Sequence, residues 1–352
     1  MRKVAFLINS LTIGGAERVF IAQAEELARR GVQADMILLF SRGALADGLT
    51  LPGERVHLIG ASSVFDLGAY FRLHKLLKSL GTDTLYTTLN EANFVGRFIK
   101  LLSPHLVLYT REANVADIKP LLYKLGDALL GFLSKKIVVV SKAVGASLLS
   151  YAPWLGGKIV VLYNGVRLPS APPTREAGTG ARLLAVGTLM LKKDFAVLIR
   201  ALALLPEPYT LTLVGDGGIR KDLEALAQGL GVAGRVSFLG WVPPQEVVQL
   251  YATHDAFVLP SKWEGCPNVV SEAQSFALPV VAFDIAGMSE FTDDTSGALV
   301  KERTPEALAA GIREVCESRE QMIKKGAAGF ARVKGDREYN AQLEKFAQLI
   351  LS

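Results

Sequence analysis

Cysteine is scarce, present only as Cys266 and Cys316, so no disulfide framework can hold this chain, and free thiols suit a reducing, cytoplasmic setting. No apolar stretch approaches the ~18–20 residues that cross a bilayer. The start, Met1-Arg2-Lys3 followed by Val4 to Ile8, resembles a signal peptide only superficially: Asn9 and Ser10 cut the apolar run short, and a buried first strand explains it better. Histidine is equally sparse. His57, His74, His105 and His254, with the two cysteines, show no metal-ligand spacing, and no Asp-x-Asp motif occurs, so no metal site is expected. Zinc-finger spacing and basic-aromatic strand patterns are missing, which argues against nucleic acid as a partner. No repeat of 20–50 residues marks a solenoid.

What is present describes a folded protein. Half of the 352 residues are apolar and 21% are charged. A chain of this size buries about three-quarters of its extended surface and needs no covalent staple. Its net charge of +5 is unevenly placed: residues 1–165 hold 19 Lys and Arg against 12 Asp and Glu, a net +7, and the rest hold 20 against 22. The first half should therefore meet something anionic.

Short β-rich runs alternate with helical stretches throughout, the pattern of parallel sheets wrapped by helices. The first half offers strands at Val4–Ile8, Asp35–Phe40, Thr84–Thr88, Leu106–Thr110, Ile137–Ser141 and Ile159–Tyr163, with an amphipathic helix over Ala16–Arg30. The second half offers strands at Leu183–Val186, Leu211–Val214, Val236–Leu239, Ala256–Leu259 and Val280–Ala282. Residues 167–181, rich in Pro, Gly, Ser and Thr, read as a linker. The expected organisation is α/β: a Rossmann-like domain over 1–166, a second over 182–334, and a C-terminal helix over 335–352 that packs back on the first domain. Two such doubly wound sheets are expected to face a central cleft, with ligands at the carboxyl ends of the strands.

Chemistry concentrates in the second half. Gly215, Asp216 and Gly217 follow a strand; their glycines serve either close approach to an anion or simple loop geometry. Gly14 and Gly15, after the first strand, carry the same two readings. Glu264 lies in a loop, followed by Gly265-Cys266-Pro267-Asn268-Val269 and a helix bearing Glu272. A helix start there offers unpaired N–H groups and about half a positive charge to an anion. The two glutamates beside it either favour the helix electrostatically or accept hydrogen bonds from sugar and ribose hydroxyls. Lys192 and Lys193 sit just past a strand end, suitably for a departing diphosphate, although lysines there are commonly only solvated.

These pieces together resemble the retaining glycosyltransferases of family 4, which have the GT-B fold. The resemblance rests on Val186-Gly187 through Lys193-Asp194-Phe195, Val214-Gly215-Asp216-Gly217, Arg235 to Val242, and Pro260-Ser261 through Glu264 to Glu272 as a Glu-x7-Glu element. Pro279 to Ala282 with Gly287 and Glu290 extend it, as do Gly14-Gly15-Ala16-Glu17 and Tyr163-Asn164-Gly165-Val166, so that it spans nearly the whole chain. It implies transfer of a sugar from a nucleoside-diphosphate-sugar, UDP ahead of GDP, to a hydroxyl of a glycan or lipid-linked acceptor in surface-polysaccharide, lipopolysaccharide or glycolipid synthesis, without metal or other cofactor. By the same resemblance Lys193 contacts the diphosphate with the 265–269 backbone, Glu272 the ribose, Glu264 the sugar, Trp241 and Val242 the base, and Gly14 and Gly15 the reacting centre.

Two departures stand out. Thr188 replaces the family's arginine after Gly187, which leaves Lys192 to supply the second cation. The family's histidine at the end of the fourth strand candidate is missing; Thr110-Arg111-Glu112-Ala113-Asn114 stands there, so Arg111, Glu112 and Asn114 are expected on the acceptor or donor-sugar side, with Glu112 counted as catalytic beside Lys193 and Glu264. A membrane contact at the inner face is also expected: Val64–Leu80 and Phe94–Leu102 mix aromatic and leucine residues with Arg72, Lys75, Lys78, Arg97 and Lys100, as an interfacial helix does, although an ordinary core-facing helix with a solvated basic face reads the same way. Alternatives are a non-catalytic sugar-nucleotide-binding protein and a dinucleotide-dependent oxidoreductase; the second is weakened by the lack of Gly-x-Gly-x-x-Gly after the first strand.

Overall fold

Branched apolar runs of three to six residues build two separate parallel sheets. The computed structural model describes residues 2–115, 118–173 and 181–352, and the structural statements below concern those residues. Much of the expected linker, 174–180, lies outside them. The chain divides into two units: the first runs to Gly165 and takes Asn340–Ser352, and the second is Val166–Tyr339.

In unit 1 the elements run β1 (Lys3–Ile8), α1 (Gly15–Arg29), β2 (Gln33–Leu38), β3 (Val56–Leu58), α2 (Leu67–Leu80), β4 (Thr84–Thr88) and α3 (Asn90–Leu102). They continue with β5 (Val107–Glu112), α4 (Leu121–Leu130), β6 (Lys136–Val139), α5 (Lys142–Leu149) and β7 (Ile159–Val161). The strands pair in parallel in the order β3-β2-β1-β4-β5-β6-β7. Both faces are covered, so alternate residues of β1 enter different cores. Val4, Phe6 and Ile8 pack with Phe20 of α1, while Ala5 and Leu7 pack with Leu73 and Leu77 of α2 and Ile99 of α3. A strand covered on both sides must be apolar throughout, and β1 is.

Unit 2 repeats the plan with β8 (Arg182–Val186), α6 (Phe195–Ala203), β9 (Thr210–Val214), α7 (Arg220–Gly229), β10 (Val236–Gly240), α8 (Pro244–Thr253) and β11 (Ala256–Leu259). Then come α9 (Asn268–Ser275), β12 (Val280–Phe283), β13 (Gly297–Val300), α10 (Pro305–Val315) and α11 (Arg319–Asp336). The parallel order is β10-β9-β8-β11-β12-β13. In each sheet the strand order reverses once, between β1 and β4 and between β8 and β11. The loops leaving those strands part to opposite faces there, and ligands of such sheets collect at that point.

The strands read from sequence are all present, two of them with the expected bounds and the others with ends shifted by at most two residues; β3 and β13 were not foreseen. Both are edge strands, of three and four residues, too short to show a period. The expected domain end at residue 334 falls inside α11. At the end of the chain α12 (Tyr339–Leu351) buries Phe346, Ala347 and Ile350 against Phe6, Phe20 and Tyr86. Glu344 pairs with Arg30 at 2.5 Å, and the Tyr109 hydroxyl donates to the Leu349 carbonyl at 3.1 Å. Removing one methylene there, as in Ile350→Val, is expected to cost about 0.5–1.5 kcal/mol in chemical denaturation. A cost near zero would take α12 out of the unit 1 core.

Candidate functional site

In unit 2 the reversal point is bridged by charge. Lys193 follows β8, Glu264 follows β11, and the Lys193 ammonium donates to Glu264 Oε1 at 2.6 Å. Local backbone sets this up. Asp194 adopts a left-handed conformation (φ 50°), tolerated by aspartate better than by most residues, and ends the turn that aims Lys193. The Lys262 N–H donates to the Lys192 carbonyl at 2.9 Å and its ammonium lies 3.4 Å from Asp194, so the two loops are tied twice. Lys192 lies 3.7 Å from Glu264 Oε2, and the Ser261 hydroxyl donates to Oε1 at 2.7 Å.

Burial pushes the Glu264 carboxyl up, but the charges of Lys193 and Lys192 with the hydrogen bonds from Lys193 and Ser261 outweigh it, and the group ends below its ordinary value. Three ammonium groups and two carboxylates thus leave one positive charge at the mouth of the switch point, where an anion is favoured.

Glu272 lies on α9, half-buried, and its Oε2 accepts from the Tyr251 hydroxyl at 2.8 Å. Tyr251 is buried in α8. Burial, then the Glu272 charge and hydrogen bond, hold its phenol well above the ordinary range, so it remains a donor. Within the 265–269 segment, whose amides are expected from sequence to face an anion, the Asn268 N–H donates to the Cys266 carbonyl at 3.0 Å. Gly265, Cys266 and Val269 are half-buried around that turn and Pro267 is buried beneath it.

The glycines turn out to pack loops together, the bland one of their two readings. The Gly215 N–H donates to the Gly240 carbonyl at 2.7 Å, and the Gly217 N–H to the Asp216 carboxylate at 2.8 Å, so neither is held out for an anion. A Cβ on Gly215 (φ 128°) would stand 2.1 Å from the Gly187 carbonyl oxygen, and one on Gly187 would stand 3.1 Å from Lys193 Cε. Close backbone approach is therefore what lets Lys193 lie across Gly187. Gly215→Ala is expected to destabilise unit 2 by about 1–3 kcal/mol and displace the Lys193 loop; an unchanged melting temperature would contradict it. Thr188 and Asp216 are exposed, as is Trp241, just beyond β10, with Val242 half-buried beside it.

In unit 1 the β1–β4 reversal point is bridged by Asn9, which donates to Glu91 at 2.7 Å and accepts from the Ala92 N–H. Gly14 is the N-cap of α1 and Gly15 its first residue; the Glu17 carboxylate lies so close that a Cβ on Gly14 would meet it at 2.2 Å. Asn114 is half-buried.

The neighbouring expectation fails. Glu112 is buried, not presented to an acceptor: it accepts from Asn93 at 2.9 Å and Lys119 at 2.6 Å, with Arg97 at 3.5 Å. Arg111 is buried too, donating to Thr88 and Asn164 across β4, β5 and the chain beyond β7. Arg97 and Lys119 also hold Asp127 of α4, each at 2.6 Å, and the Tyr151 hydroxyl donates to the same carboxylate. Sequence reading missed this cluster and also Tyr251, Ser261 and Lys262. Ser261 and Lys262 both lie inside a segment already singled out, but the sequence assigns neither a role there. Among the described residues no group of three metal-ligating side chains occurs.

With that geometry in hand, likeness to known proteins can be weighed. Residues 170–329 match the family described as glycosyl transferases group 1, and residues 13–168 match glycosyltransferase family 4. A lipopolysaccharide core biosynthesis glycosyltransferase of Rhizobium meliloti, LpsE, is 27% identical over 351 residues, 96% of each chain. An N-acetylgalactosaminyltransferase of Campylobacter jejuni, named for a diphospho-undecaprenol-linked substrate, is 25% identical over 90% of this chain and 91% of its own. The solved structure of HepE from Anabaena, in complex with UDP, aligns with a TM-score of 0.86 at 21% identity, covering 99% of both chains.

Proposed function

This chain belongs to the group 1, family 4 type of glycosyltransferases with the GT-B fold, and from that premise we propose that it moves a sugar, with retention at the anomeric carbon, from a UDP-sugar to a hydroxyl of a lipid-linked glycan. Unit 2 takes the donor. The observation that carries this reading is the Lys193–Glu264 pair across the β8–β11 reversal point. Lys193 and Lys192 meet the diphosphate, Glu264 and the 265–269 turn the sugar side, Glu272 with Tyr251 the ribose, and Trp241 and Val242 the base. The UDP bound to HepE and the lipid-linked and lipopolysaccharide substrates named for the relatives support that choice of donor and acceptor.

In the transfer step the acceptor oxygen bonds to the anomeric carbon as the bond from that carbon to the phosphate oxygen breaks. The leaving oxygen takes the acceptor's proton, so no separate base is required. Charge develops on the departing diphosphate, and two ammonium groups placed there beforehand stabilise it without a metal ion. With Glu112 and Arg111 buried, this chain's contribution to chemistry rests on unit 2.

Melting curves across nucleoside diphosphates and their sugars test the reading, since a ligand that binds only the folded state raises its stability. UDP and a UDP-sugar should raise the melting temperature and GDP should raise it less. No shift with any of them would remove the proposal. Activity surviving EDTA would support metal independence, and the anomer formed, read by NMR, tests retention.

A further inference from the structure

Helix α4 points its apolar face the wrong way for a soluble core. Its inward side is already settled: Gly126 packs on Phe94, where a Cβ would come within 2.9 Å of the ring, and Asp127 is held by Arg97 and Lys119. The outward side carries Leu121, Leu122, Leu125 and Leu129, a spacing that lines one helical face. Leu121 is 69% exposed, Leu129 67%, and the row continues into Phe132 just past the helix end. Trp154 joins it. Its indole N–H donates to the Ala128 carbonyl at 3.1 Å, which satisfies the polar edge while 62% of the residue stays exposed. Single exposed leucines are ordinary, but a contiguous apolar face with an indole beside it marks an interaction surface.

Charge says what covers it. From Ile118 to Gly165 the sequence has six lysines and one carboxylate, Asp127, and that carboxylate is buried with its pairs. The outside of this segment therefore carries positive charge alone, with Lys124 on α4 itself and Lys135 just beyond Phe132. A second copy would bring lysines against lysines. An anionic lipid surface meets both features, taking the apolar face at the headgroup boundary and the ammonium groups at the phosphates. No helix among the described residues is long and apolar enough to cross a membrane, and α4, ten residues long, would lie in the interface plane.

We infer that the outward face of α4, with Phe132 and Trp154, docks this chain on an anionic membrane surface. This relocates the contact foreseen on α2 and α3. There Arg97 is buried, Arg72 is bound to the carbonyls of Ile59 and Gly60, and Lys100 to those of Pro104 and Leu106, so three of the five cations counted for lipid are engaged inside the protein. The inference rests on the proposed lipid-linked acceptor only for its biological sense; docking itself is read without any transfer.

Flotation of the full chain with phosphatidylcholine vesicles, with and without phosphatidylglycerol, tests it. The chain should float with the phosphatidylglycerol vesicles at low salt and much less at high salt. Leu125→Gln with Leu129→Gln, both exposed, should weaken binding by at least about tenfold while leaving melting temperature and UDP-induced shift unchanged. Leu67→Gln with Phe71→Gln on α2 should bind as the parent does. The inference is overturned by no flotation, by equal flotation of the α4 variant, by loss only in the α2 variant, or by a concentration-dependent dimer that the α4 substitutions dissolve. Flotation without any nucleotide-induced shift would instead remove the transferase reading and leave docking intact.

Discussion

Alanine at position 193 is expected to lower kcat by about 10²–10³-fold while a UDP-sugar still binds. The ammonium group is one of two cations placed where the diphosphate departs, so its loss is felt most when charge develops. A second consequence is structural and appears in stability rather than turnover. Glu264 is buried, and with its 2.6 Å partner gone it keeps only Lys192 at 3.7 Å and the Ser261 hydroxyl. Burial, the largest influence on that carboxyl, is then opposed only by Lys192 and Ser261, so the group should titrate higher than in the parent, where it lies below its ordinary value. The signs follow from that. In the parent, the pair contributes stability above the ordinary carboxyl range and loses it as pH falls. In the variant, the part of that contribution made by Lys193 is missing near neutrality. The stability gap between the two should therefore be widest near pH ~7, about 1–3 kcal/mol, and close as the pH falls below the ordinary carboxyl range. Lys193→Arg should keep the gap small. Parent-like turnover by Lys193→Ala would defeat the assignment.

The depth to which this site was legible follows from what sequence signals encode. Lys193 and Glu264 stood out because they follow strand ends, and Glu272 because it lies on the helix that comes next; the structure brings the first two into contact. Gly215 and Gly217 were visible as glycines, but whether a glycine frees an amide or lets two loops touch depends on a partner loop distant in sequence, here Gly187 and Leu189. Arg111 and Glu112 misled for the opposite reason. A charged pair at a strand end reads as functional, and nothing in its spacing announces that Asn93, Arg97, Lys119 and Asn164 converge on it from other elements. The fold was easier because both sheets are covered on two sides, so most strands are apolar throughout. The two strands missed lie at sheet edges: β3 is three residues long with His57 at its centre, and β13, though apolar, is only four residues and opens on Gly297.

The buried cluster of unit 1 should then behave as framework, and Asp127→Ala is where that shows most strongly. Two cations, Arg97 and Lys119, and the Tyr151 hydroxyl all converge on this carboxylate, and its removal leaves both cations sharing Glu112 alone in a buried setting. Breaking such a set by deleting one partner costs about 3–5 kcal/mol, a large part of the ~5–15 kcal/mol that holds a typical domain. The pH dependence carries a definite sign. Burial pushes Asp127 up, but Arg97, Lys119 and the hydrogen bonds from Lys119 and Tyr151 pull it below its ordinary value, so its contribution is complete above the carboxyl range and decays as pH falls through it. Lys119 is pushed down by burial yet ends raised by Glu112 and Asp127, which keeps it charged through neutrality. Parent and variant should accordingly converge in denaturant midpoint toward acid and differ most near neutrality. Replacing Arg97 and Asp127 together by leucine should cost far less than the sum of the single changes, because no charge is left stranded. Were Asp127→Ala to keep its stability and instead lose transfer, the cluster would belong to the chemistry, and the removal of Glu112 from the catalytic set would have to be reversed.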